Sequence, residues 1–248
     1  MRVVALSLLF VFVLVGALIV TMPLSFVLDR TPAKQLGVNW ASAAGTIYSG
    51  TVYGVSTGPQ SIGDVSVKLD PIGLIRGRVD YDVNWSGSPG SGTASLSVGR
   101  NSIALSDLNA VVDIEPLVGL ASELRRIGGS ASVRSGGIVF ADNACVEAAG
   151  QVSTNVLARA ATSYGQSGGE LAGQMSCDGS MLSIPLSGVL SEGDTVDAEI
   201  RVGLSEPSSF SSDVQTSNPE LSALLTFRGF ERAGDRFSYN RSIQIGEF

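Results

Sequence analysis

"RVDYDVNW", Arg78 to Trp85, is the stretch whose period decides the fold. Val79, Tyr81, Val83 and Trp85 alternate strictly with Arg78, Asp80, Asp82 and Asn84. A period of two places the first set on one side of an extended chain and the second on the other, which describes a strand with one wet face. The same period returns in "DVSVKLD", through Val65, Val67 and Leu69. It returns again in "DTVDAEIRVGL", where Val196, Ala198, Ile200 and Val202 oppose Asp197, Glu199 and Arg201. A mainly β chain is expected, built on an antiparallel sheet. Val79, Tyr81, Val83, Trp85, Val196, Ile200 and Val202 are the candidate lining of an apolar groove on one side of that sheet.

Turn chemistry breaks the strands at short intervals. "SGSPGSG" (Ser86 to Gly92) reads as a flexible loop and "DPIG" (Asp70 to Gly73) as a turn. "RSGG" (Arg134 to Gly137) and "SCDGS" (Ser176 to Ser180) read as hairpin connections. The 30 glycines suit a sheet with many turns and strong curvature. Helices are few. "EPLVGLASELRRIGG" has Leu117, Leu120, Leu124 and Ile127 at helical spacing, Pro116 in its first turn and Gly128-Gly129 as its stop. "NVLARAATSYG" and "NPELSALLTFRGF" are weaker helical candidates, the second with Asn218 as N-cap and Pro219 at its first position.

Ahead of the strands runs "VVALSLLFVFVLVGALIVTMPLSFVL", Val3 to Leu28, without a charge. About 20 apolar residues cross the hydrocarbon layer of a bilayer, so this run is long enough to span it. A cleaved signal peptide would carry a shorter apolar core and a small-residue cleavage site, and "DRTPAKQLG" supplies no such site. An uncleaved anchor is therefore expected over residues 1–28, with a juxtamembrane connector at 29–40 and an exported β domain at 41–248. Arg2 and the terminal amine favour a cytoplasmic N-terminus.

Composition removes several classes of function. The chain has 44% hydrophobic and 16% charged residues, which is a folding composition. Its net charge of -7 and its lysines, found only at Lys34 and Lys68, argue against a nucleic-acid partner. With no histidine, every His-dependent triad and His-ligated metal site is excluded. No catalytic, cofactor or metal residue is assigned. "GQSGG", Gly165 to Gly169, matches G-x-S-x-G around Ser167, but that elbow needs a histidine partner. Asp80 and Asp82, like Asp197 and Glu199, read as solvated strand faces with Arg78 and Arg201 beside them. A Ser-Lys dyad would need a desolvated lysine, and neither Lys34 nor Lys68 stands where one is expected.

Cys145 and Cys177 sit outside any C-x-x-C or zinc spacing. In an exported domain such a pair is more often a disulfide than two buried thiols. Closing the loop between them stabilises the fold by about 3–4 kcal/mol on the chain-entropy account. The remaining distinctive stretch is "AAGTIYSG", whose Gly45, Thr46, Ile47, Tyr48, Ser49 and Gly50 form a strand with a small residue at each end.

Taken together, an apolar N-terminus ending in "MPLSFVL", then "GTIYSG", "DPIGLIRGRVDYDV", "CVEAAGQV" and "GELAGQMSCDGSML" resemble protein N of the bacterial type II secretion pathway. Gly45 to Gly50 match that family's signature, with Tyr48 where tryptophan is frequent, and Cys145 and Cys177 match its paired cysteines. The resemblance implies a non-catalytic inner-membrane subunit with its bulk in the periplasm, contacting other secretion subunits and needing no cofactor. It further implies a curved sheet, an open gutter or partial barrel similar to AsmA-like proteins. That likeness makes a lipid-binding or lipid-transfer groove the alternative function.

Overall fold

The computed structural model of the chain describes residues 21–31, 34–35, 37–75, 77–117, 122–163, 165–190 and 193–243. Most of the expected anchor, residues 1–20, lies outside them. Among the described residues no helix is long and apolar enough to cross a membrane.

The described chain is one antiparallel sheet of 15 strands, taken almost in sequence order. Its strands are β1 (Val38–Asn39), β2 (Ser42–Gly45), β3 (Ser49–Thr57), β4 (Gln60–Asp70), β5 (Val79–Gly87), β6 (Gly90–Val98), β7 (Ser102–Asp113) and β8 (Ser130–Ala141). They continue as β9 (Ala144–Thr154), β10 (Leu171–Asp178), β11 (Met181–Val189), β12 (Thr195–Val202), β13 (Ser208–Gln215), β14 (Glu231–Ala233) and β15 (Arg236–Ile243). Short helices punctuate them: α1 (Leu24–Leu28), α2 (Pro71–Ile75), α3 (Ser122–Ile127), α4 (Val156–Ser163) and α5 (Pro219–Phe227). The first and last strands do not pair, so the sheet stays open. Strands β1 and β2 share one edge of β3, so the strand order begins inside the expected connector, at Val38.

Register carries the apolar period from strand to strand on one face. Leu69 pairs with Tyr81 and Tyr81 with Leu96. Leu105 pairs with Ile138 and Ile138 with Ala148. Val196 pairs with Val214 and Val214 with Phe237. The opposite face carries polar ladders such as Thr51 to Ser66 at 2.9 Å and Ser132 to Ser153 at 2.9 Å. Two clusters bury the apolar face most deeply. One joins Ile138, Cys145, Val152, Met175, Leu182, Leu186 and Ala198 along β8–β12. The other sets Ala161 of α4 and Leu225 of α5 against Leu190, Val196, Val214 and Phe237.

Several local expectations need correction. "SGSPGSG" is no flexible loop: Gly87 pairs with Gly90, leaving only Ser88-Pro89 to turn. "DPIG" opens α2, because Asp70 Oδ1 accepts the Ile72 N–H at 3.0 Å and Pro71 has no N–H to lose. "RSGG" is not a hairpin but lies in the middle of β8, at a register shift against β9. There the apolar period slips from odd (Val133) to even (Ile138), as it does in β7 between Leu105 and Leu108, where Asp107 has φ 51°. A bulge absorbs one residue and returns both halves of a strand to the same face. The buried Ser135 hydroxyl holds the β8 bulge, donating to the Ala149 carbonyl at 2.7 Å and accepting the Gly137 N–H at 3.2 Å. Finally, the helix in "EPLVGLASELRRIGG" is described only over Ser122–Ile127, after Pro116 and Leu117. Leu120 lies outside the described residues.

"GTIYSG", expected as a strand, instead turns between β2, which ends at Gly45, and β3, which begins at Ser49: two glycines facing each other across the pair leave Thr46–Tyr48 to reverse the chain. In α5, the Asn218 side chain accepts from the Glu220 and Leu221 N–H groups at 2.9 and 3.2 Å, and Pro219 stands first.

Candidate functional site

"GTIYSG" is the turn between β2 and β3. Gly45 pairs with Gly50, and the Thr46 N–H donates to the Ser49 carbonyl at 3.0 Å. Gly45 has φ +87°, and a Cβ there would meet the Ser49 carbonyl oxygen at 2.5 Å. Only glycine fits that position without strain. The Tyr48 carbonyl accepts the Leu69 N–H at 2.8 Å, extending the turn onto β4.

The outer side of this turn receives the end of the N-terminal apolar run. Pro23 bridges to Thr46, and the Ile47 N–H donates to the Met22 carbonyl at 3.2 Å. Pro23 itself is extended, with φ -62° and ψ 137°, and leads into α1. Leu24 is buried against Gly50, where an added Cβ would lie 2.7 Å from its Cδ2. Residues 22–24 are thus bound to the sheet by main-chain pairing and by one leucine seated over a glycine. Beside them the Arg30 guanidinium lies 3.7 Å from the Phe26 ring centre, and the Lys34 ammonium 4.7 Å from that of Trp40. Lys34 also pairs with Asp29 at 3.7 Å. The surface here combines cations with aromatic rings.

Val79, Tyr81, Val83 and Trp85 share the apolar face of β5, and Val196, Ile200 and Val202 that of β12, in phase through the register. The face is unevenly covered. Val79, Val98, Ile103 and Phe140 form one cross-strand row, in which Val98 and Ile103 are 38% and 45% exposed. Trp85 lies over Gly92, whose missing side chain makes room for the indole. The Cys145–Cys177 disulfide, with Cα atoms 5.5 Å apart, sits on the same face. It joins β9 to β10 beyond Gly150 and Met175, the last residues those strands pair.

The charged candidates lie on the polar face as local networks. Arg78 pairs with Asp80 at 3.0 Å, and Asp82 accepts from Ser95 at 3.1 Å. Glu199 accepts from Ser183 at 2.7 Å and from Arg201 at 3.0 Å, while Arg201 also reaches Asp178. Arg236 pairs with Asp213, whose hydrogen bond and charge raise the arginine's pKa. Lys68 is exposed, with Ser49 and Asp82 as its cross-strand neighbours. Ser167 follows α4 and precedes β10, the reverse of the strand-then-helix order a nucleophile elbow requires. What sequence reasoning missed is the docking of Met22–Leu24 on the turn. Glycines at both ends of that turn were its signal.

No curated protein and no solved structure matches this chain significantly. Residues 36–240 match the family described as type II secretion system (T2SS), protein N. That range covers well over half of the sequence and includes the signature turn, both cysteines and strands β1–β14 in full, so the chain belongs to the type II secretion system protein N family.

Proposed function

We propose that this protein is a non-catalytic accessory subunit of the type II secretion machine. It is tethered to the bacterial inner membrane by one N-terminal pass, with the sheet in the periplasm. It works through protein–protein contacts with other subunits, supporting export of folded proteins across the outer membrane. The family match over residues 36–240 carries this reading. The docked turn agrees with it: segment 22–24 fixes the sheet to the chain that leaves the apolar run, so the tether and the sheet would hold a set orientation. Phe26, Arg30, Lys34 and Trp40 are residue types that settle at a membrane interface. A disulfide suits an oxidising compartment.

The test is release of exoproteins by cells lacking the gene, complemented by the wild-type chain or by Gly50→Val. Deletion should leave exoproteins in the periplasm. Gly50→Val, which drives a side chain into Leu24 and into the Ala44 and Thr46 carbonyls of the turn, should complement poorly. Normal release without the gene would sink the proposal.

The exposed row through Val98 and Ile103 favours a second reading, a groove that holds lipid. Native mass spectrometry of the full chain under gentle conditions should then show a bound lipid, and a bare protein would remove this reading.

A further inference from the structure

The two ends of the sheet are closed differently. At β3 the edge is covered by β1 and β2, and residues 22–24 lie across the turn. At β15, among the described residues, only Arg236, Phe237 and Ser238 are paired outward, with β14. Upstream of β14 the chain turns away through Phe230 into α5, and the Phe230 ring packs 5.3 Å from that of Tyr239. Among the described residues no strand covers Tyr239–Ile243, although its inner side is fully registered with β13. Alternate residues of such an edge present both N–H and C=O outward, ready for another strand.

The side chains of this edge are selective. Tyr239 and Arg241 continue the apolar face; Asn240 and Ser242 continue the polar one. Arg241 is exposed and lies opposite Phe210, and it forms no ion pair among the described residues. Its cross-strand neighbour on β13 is Phe210, so the paired strand offers it no carboxylate there. A second copy is a poor occupant, because antiparallel pairing centred on this stretch would set Arg241 against Arg241 of the other chain.

We propose that Tyr239–Ile243 accepts an extended segment of a different protein by strand addition, one with apolar residues on alternate positions and an acidic residue facing Arg241. Main-chain bonds supply affinity and the Arg241 position supplies selection. This goes beyond the secretion reading but rests on its contact-making role. The test reads the edge alone, so its failure is distinct from a failure of exoprotein release.

The probes are two synthetic peptides alternating threonine and valine about one central residue, glutamate in one and lysine in the other. Each is titrated into the full chain in detergent, followed by amide hydrogen exchange and fluorescence anisotropy. The glutamate peptide should slow exchange within 239–243 and bind about tenfold tighter than the lysine peptide, as swapping one exposed ion pair for a repulsion implies. Arg241→Glu should reverse the preference, and Arg241→Gln should abolish it while leaving the fold intact by circular dichroism. Equal binding, no binding by either peptide, protection elsewhere on the sheet, or a peptide-free dimer protecting 239–243 would each overturn the proposal.

Discussion

Strands β3–β7 and strands β8–β15 carry the same alternation but bury it differently. In the second half, two clusters of buried residues, two helices and the disulfide stack on the apolar face. In the first half, Val55, Leu69, Ala94 and Ala110 are buried singly, and the row through Val98 and Ile103 meets solvent. Alternation therefore sets which face is apolar, and stability follows from what covers it. The second half should act as the stable unit, and the first as the face left available.

The sharpest way to break this contrast is at Phe237, among the described residues the large side chain with no exposure, packed among Val196, Val214 and Leu225. Phe237→Ala removes a fully buried ring and should cost about 3–5 kcal/mol. Thermal or urea unfolding of the full chain would measure it. A cost below about 0.5 kcal/mol, the ordinary range for a surface change, would mean that the second half is not the stable unit.

Next in size is the disulfide. Replacing Cys145 and Cys177 together with alanine should destabilise the chain by about 3–4 kcal/mol, because the unfolded chain is no longer held in a closed loop. Beyond that unfolded-chain effect, the folded sheet should loosen where β9 and β10 stop pairing, between Gly150 and Cys145 on one strand and Met175 and Cys177 on the other. Hydrogen exchange should show those strand ends opening first. Uniform acceleration over all strands would instead place the effect in the unfolded chain alone.

Much of the sheet was legible because its information is local. "RVDYDVNW" and "DTVDAEIRVGL" state their strands by period, and Asn218-Pro219 states its helix start by capping chemistry. The β8 bulge was misread because a serine followed by two glycines serves equally at a turn and in a strand. The distinguishing signal was the slip in apolar phase from Val133 to Ile138, which a turn would not need to conserve on one face. The docking of Leu24 on Gly50 had no local signal of comparable strength, since its partners are far apart in sequence and meet only through the turn. Periodicity likewise named the groove residues without saying how much of that face is covered. Coverage depends on where α4 and α5 settle, which is a property of the assembled sheet.

The smallest expected effect is the most informative about the exposed half. Ile103 pairs with Phe140 on one side and Val98 on the other, yet remains 45% exposed. Ile103→Thr keeps the β-branched shape that suits a strand and exchanges one methylene-linked methyl for a hydroxyl already in reach of water. It should change stability by no more than about 0.5 kcal/mol. If the row through Val98 and Ile103 holds a lipid, the same substitution should lower lipid occupancy in native mass spectrometry while the melting curve stays put. A change in both together would show that Ile103 is packed as part of the core, and the contrast between the halves would lose its clearest case.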